Sequence, residues 1–176
     1  MKREETKRIE AILYRNCFAS NNMSLAKRYG CAEVTVGFPT KRVTKEKRNE
    51  VVDFLSYDRK SDCFYCYEIK VSLSDLKSDA AKSFHGDFNY IVVTNELYDD
   101  HRDAVCGTIS DNTGVIVCDI STMSMRIVRP ARGRKIPQET ANILKDSLLR
   151  SLFYKHTKNK EIEFLTADTT QREENI

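Results

Sequence analysis

Residues Glu50–Asp79 read "EVVDFLSYDRKSDCFYCYEIKVSLSDLKSD". Two runs rich in β-branched and aromatic residues, 50–58 and 63–72, flank the turn-like "RKSD", which is the pattern of a hairpin. Ser72 follows at once, with Asp75 three positions later, a capping-box spacing that opens a helix. Leu76, Ala80 and Phe84 supply that helix with an apolar stripe. "NYIVVT" (89–94) comes next. It is a short, continuous apolar run, as expected of a strand buried on both faces and parallel to its neighbours. A hairpin, a crossover helix and a buried strand together predict a mixed sheet.

The flanking segments extend that reading. Residues 3–18 form a helix with Ile9, Ile12, Leu13 and Cys17 on one face. "CAEVTV" (31–36) is a strand stopped by Gly37 and Pro39. A short helix covers 96–104, and strands cover 114–120 and 123–130. Residues 138–155 form an amphipathic helix carrying Leu144, Leu148, Leu149, Leu152 and Phe153. That stripe reads first as core packing and second as a homodimer surface. The expected architecture is α/β, a central mixed β-sheet flanked by helices. One domain spans 1–157, and a charged tail, 158–176, is expected to be partly disordered.

The 176 residues suit one domain of ordinary size, and 40% hydrophobic content suits a globular core. A net charge of +3 permits contact with nucleic acid without requiring it. No apolar run approaches the roughly 20 residues of a membrane span, and the charged "MKREETKRIE" is unlike a signal peptide. An intracellular, cytoplasmic location is expected, with the six cysteines as free thiols. Cys63 and Cys66 have metal-like spacing, but on a strand a three-residue offset points them to opposite faces, so they read as reduced thiols. Tyr90 reads as core, and His85 as a loop residue.

Strand alternation puts Cys66, Glu68 and Lys70 on one face and Tyr65, Tyr67, Ile69 and Val71 on the other. Asp53 is an isolated acid among Val51, Val52, Phe54 and Leu55, costly to bury without a partner. With the turn centred near Lys60, position 53 pairs with about 67 or 68. Asp53, Glu68 and Lys70 therefore converge. Two carboxylates suit a hard divalent cation such as Mg²⁺ or Mn²⁺, with the main-chain carbonyl of Ile69 as a further oxygen donor. A lysine beside them can orient or deprotonate water, or stabilise charge developing on phosphorus. The plainer reading is a cross-strand salt bridge in a structural protein.

"VVDFLSYDRKSDCFYCYEIK" resembles the catalytic hairpin of the PD-(D/E)XK nuclease superfamily, with Val52 where the usual proline stands. The segment that follows is similar to small MmcB-like repair proteins and phage-encoded relatives, and the likeness spans about residues 31–130. It implies a restriction-endonuclease-like fold and an Mg²⁺- or Mn²⁺-dependent nuclease acting on DNA, in repair, recombination or phage–host conflict. Asp53, Glu68 and Lys70 take the catalytic positions, Asp53, Glu68 and the Ile69 carbonyl the metal. Glu33, the acid of "CAEVTVGF", matches an extra upstream acid of many members. Lys77 and Lys82, on the helix after the motif, match phosphate contacts. Lys41 and Arg42, and Arg132 and Arg134, belong to two basic runs that could grip a DNA backbone. The alternative is a module of the same fold that binds DNA or a protein partner without cutting.

Overall fold

The computed structural model describes residues 2–17, 27–37, 50–78 and 84–173, with side chains described as far as 159. Helix α1 (Glu4–Asn16) precedes strands β1 (Arg28–Val36), β2 (Glu50–Asp58) and β3 (Cys63–Lys70). Helix α2 (Leu73–Leu76), strand β4 (Phe88–Thr94) and helix α3 (Asn95–Gly107) follow. Strands β5 (Gly114–Asp119) and β6 (Ser124–Arg129) lead to helix α4 (Gln138–Glu173). The strands lie in chain order in one six-stranded sheet. β1, β2 and β3 are antiparallel, β3, β4 and β5 parallel, and β6 antiparallel to β5. The fold is the expected α/β one, a mixed sheet flanked by helices.

Side-chain alternation divides the core between the two faces of the sheet. On one face α1 sets Ile9, Ile12 and Leu13 against Phe54, Tyr67, Ile69, Tyr90, Val92 and Ile116. Tyr14 and Tyr67 meet Phe54 edge-on at 4.9 and 5.7 Å between ring centroids, the favoured aromatic geometry. On the other face α4 sets Leu144 and Leu148 over Cys31, Val34, Val52, Leu55 and Cys66. Leu76 and α3 cover Ile91, Val93, Val115 and Val117 of the same face. Tyr90 is buried as expected, and Cys66 lies in the core.

Two expectations differ from the structure. The helix after Ser72 is a single turn ending at Leu76, and Phe84 lies outside it. Ser78 explains the stop: its Oγ donates to the Asp75 carbonyl at 2.8 Å, a local bond that competes with helix propagation. Ala80 and Lys82 lie outside the described residues, as do Lys41 and Arg42. The stretch read as a partly disordered tail is helical in backbone, since α4 runs on to Glu173. No helix among the described residues is long and apolar enough to cross a membrane.

Candidate active site at the open end of the hairpin

The β2–β3 ladder runs from Asp58↔Cys63 to Phe54↔Tyr67 and stops. One step further, Asp53 stands opposite Glu68, the register inferred from the turn. The paired register ends there, and a side chain takes the N–H of Ile69. That side chain is Asp53: Ile69 N donates to Asp53 Oδ2 at 2.8 Å. A buried N–H must find an acceptor, so this bond fixes the carboxylate at the mouth of the hairpin.

The end of the pairing has a visible cause. β1 and β2 both change phase at this level. Cys31 and Val34, three apart, point into the same core, and so do Val52 and Leu55. Between them the pairing of β1 with β2 skips Glu33 and Asp53. Glu33 has φ +52°, in the left-handed region. That conformation is uncommon for a residue other than glycine, asparagine or aspartate and marks local strain. Three acids on adjacent strands, Glu33, Asp53 and Glu68, thus share one row of the sheet.

Glu68 and Lys70 emerge on the α4 side, between the cluster under α4 and the cluster under α3. Both are 5% exposed. Lys70 Nζ stands 3.1 Å from Glu68 Oε1 and 3.6 Å from Asp75 Oδ1. Burial draws the ammonium's pKa down, but Glu68, Asp75 and Asp53 more than offset it, so it stands above the ordinary lysine value. Lys70 is held as a cation. It suits charge stabilisation and orientation of a water, not proton abstraction. Asp53 is half-buried, and burial lifts its carboxyl above the usual range. The Ile69 N–H and Lys70 oppose that lift, while the charge of Asp75 adds to it.

Asp75 is the residue that sequence reasoning missed, having been read as a cap. Ser72 does cap α2, its Oγ accepting from Asp75 N at 3.2 Å. The Asp75 carboxylate, however, turns back towards β3. Oδ2 accepts weakly from Val71 N at 3.5 Å, and Oδ1 faces Lys70. The signal was available: an acid five residues beyond the lysine, in the first turn of a helix that begins where β3 ends.

The other expected residues divide. Glu33 lies on the row, but its 57%-exposed side chain is ion-paired to Lys2 at 2.9 Å. Lys77 is exposed at the end of α2, beside the site. Arg132 and Arg134 lie at the far end of the sheet, by the start of β4. Registers place Lys70 opposite Val93 and Tyr65 opposite Phe88, so about 16 Å of strand separates the two levels. The Arg134 guanidinium is occupied with the carbonyls of Phe84, at 2.7 Å, and Gly86, at 3.3 Å. Arg126 is the member of that basic run at the level of the site, by the row Lys70–Val93–Val117–Arg126. His85 bonds Glu50.

The donor set is all oxygen: the Asp53, Glu68 and Asp75 carboxylates and the Ile69 carbonyl. That chemistry fits Mg²⁺ or Mn²⁺, and the Asp53 carboxyl, lifted by burial and to a lesser degree by the charge of Asp75, is one whose ionised form a cation would favour. Among the described residues, no three His, Cys, Asp or Glu side chains converge as a metal cage. Mg²⁺ needs only one or two carboxylates beside waters and phosphate oxygens.

No family model matches the chain, and no curated protein matches it. Among solved structures it is similar to the SPO1766 protein of unknown function from Silicibacter pomeroyi. The TM-score is 0.63 at 15% identity, over 93% of this chain and 96% of that one. At that identity the likeness establishes the fold.

Proposed function

We propose that the chain is a metal-dependent nuclease that hydrolyses phosphodiester bonds of DNA, on a fold of the restriction-endonuclease type. The observation that supports this most is the Asp53 carboxylate fixed by Ile69 N at the open end of the hairpin, beside a lysine kept charged by two other carboxylates. Asp53 and Glu68 would hold a divalent cation, with the Asp75 carboxylate a further oxygen donor nearby. The bound ion would supply charge neutralisation at the scissile phosphate. Lys70 donates hydrogen bonds to the attacking water or to the phosphate oxygens as charge builds there. Lys77 and Arg126 offer cationic contacts at the same level. Repair, recombination and phage–host conflict are the settings the motif suggests.

A second reading is favoured by one observation. Glu68 and Lys70 are almost wholly buried and paired with each other, as in a module that binds DNA or a protein partner without cutting. Circular and linear DNA incubated with Mn²⁺ separates the two, with Asp53→Asn as control. Nicking or shortening that Asp53→Asn abolishes supports the nuclease. Intact DNA, with no calorimetric Mn²⁺ binding that depends on Asp53, removes it.

A further inference from the structure

A polar cleft at the other end of the sheet has walls tied by arginines. Its lining includes Phe84, Ser110, Asn112, Thr113, Arg132 and Arg134, and no carboxylate among the described residues. Arg129 holds one wall, donating from Nε to the Thr113 carbonyl at 3.0 Å and from a terminal nitrogen to that of Ser110 at 3.3 Å. Arg134 holds the other through the carbonyls of Phe84 and Gly86. Ser110 and Thr113 join hydroxyl to hydroxyl at 3.1 Å. The main chain of Arg132 is fixed as well, its N–H donating to the Asn112 carbonyl at 3.0 Å. Gly133 lies flat on Phe88, where a Cβ would come within 2.7 Å of the ring.

Arg132 differs from the two arginines that flank it. Its exposed guanidinium makes no hydrogen bond or ion pair among the described residues. The Arg129 and Arg134 guanidinium groups are thus spent on the walls, and that of Arg132 is left over beside the hydroxyl and amide groups of the lining. Arginine recognises phosphate through a planar, bidentate fork.

We propose that this cleft binds a phosphate group, with Arg132 as the ligating cation. The nuclease reading bears only on the source of that phosphate, a backbone phosphate of the bound nucleic acid. Arg132 lies at the Phe88 level, about 16 Å along the strands from Lys70. At about 3.4 Å of axial rise per nucleotide, a strand laid along β3 and β4 places this phosphate roughly five nucleotides from the acid row.

The test is carried out in chelator, so that binding is read without cutting. Anisotropy of labelled duplex and single-stranded oligonucleotides is followed over a salt series for the wild type, Arg132→Gln and Arg102→Gln. Calorimetry with inorganic pyrophosphate forms a second arm. The expected result is that Arg132→Gln lowers the slope of log affinity against log salt by about one, while Arg102→Gln, on the acid-rich α3, leaves it unchanged. Pyrophosphate binding that needs Arg132, with an unchanged DNA slope, supports the cleft with a small phosphorylated ligand as its source. Slope and pyrophosphate binding both indifferent to Arg132 overturn the proposal. Arg132-dependent DNA binding by a wild type that never cuts with Mn²⁺ supports the cleft and counts against the nuclease.

Discussion

Lys70 Nζ lies 3.1 Å from Glu68 Oε1, and each residue is 5% exposed. Removing one partner of a buried ion pair strands the other charge and costs about 3–5 kcal/mol. That is a large part of the 5–15 kcal/mol typical of a folded domain. Lys70→Ala is therefore expected to shift the urea midpoint sharply downward, and loss of cleavage in that variant does not by itself assign chemistry. Replacing both partners, Lys70→Met with Glu68→Gln, is expected to recover most of the stability. A Lys70→Ala protein that melts like the wild type contradicts the buried pair.

The same pair sets an alkaline limit. The folded pKa of Lys70 is raised above 10.5, despite burial, by Glu68, Asp75 and Asp53. A raised lysine contributes stability that is fully present below the unfolded value and lost as pH climbs through the folded one. Wild type should lose stability above about pH 10.5 more steeply than the Lys70→Met, Glu68→Gln double variant. Parallel curves of denaturation midpoint against pH would exclude this contribution.

Asp53 offers the cleaner functional test, because its contribution to stability has the opposite sign. Burial raises its folded pKa above 3.8, so the folded state holds the proton more tightly. Stability then falls as pH rises through that window and stays lower above it. Asn at this position keeps an acceptor for Ile69 N and carries no charge. Asp53→Asn is expected to melt higher than wild type at pH 7, with the advantage shrinking towards pH 3. If the proposed nuclease function holds, it should also cut DNA roughly 10³-fold more slowly, since a bound metal contributes several kcal/mol at about 1.36 kcal/mol per tenfold. A more stable protein of unchanged cleavage rate would take Asp53 out of the mechanism.

Much of this arrangement was legible because strand physics is strict. The turn "RKSD" and period-two alternation placed 53 against 68, and Glu68 beside Lys70, to within a residue. Glu33 was found as an acid on β1, but its left-handed backbone was not, because glutamate carries no signal for that conformation. Asp75 was hidden by its own logic: an acid three after Ser72 explains itself as a cap. Where along the sheet Arg132 and Arg134 stand was not legible, for a topological reason. β6 runs antiparallel to β5, so the chain that leaves Arg126 beside the site delivers residues 132–134 to the opposite end of the sheet.

Asp75 raises the Asp53 carboxyl through like charge while holding Lys70. Asp75→Asn keeps the backbone N–H that Ser72 caps, so stability should change little. The pKa of Asp53 should fall towards its ordinary value, and the acid limb of the cleavage profile should move to lower pH. The maximal rate should drop about tenfold, the effect of losing roughly one hydrogen bond's net worth at about 1.36 kcal/mol per tenfold. An acid limb that stays in place argues that Asp75 acts only as a cap.

Glu33 combines an unfavourable backbone with an exposed side chain. A residue with a Cβ in the left-handed region costs about 1–2 kcal/mol relative to glycine, and the exposed pair with Lys2 returns about 0.2–1 kcal/mol. Glu33→Gly should therefore be more stable than wild type by up to about 1 kcal/mol. Cleavage tells the two roles apart. With its carboxylate turned to Lys2, Glu33 is expected to slow the reaction less than tenfold when replaced by glutamine, far less than Asp53→Asn. A loss as deep as that of Asp53→Asn, in a Glu33→Gln protein that folds normally, would add Glu33 to the proposed metal site and extend the acid row over three strands.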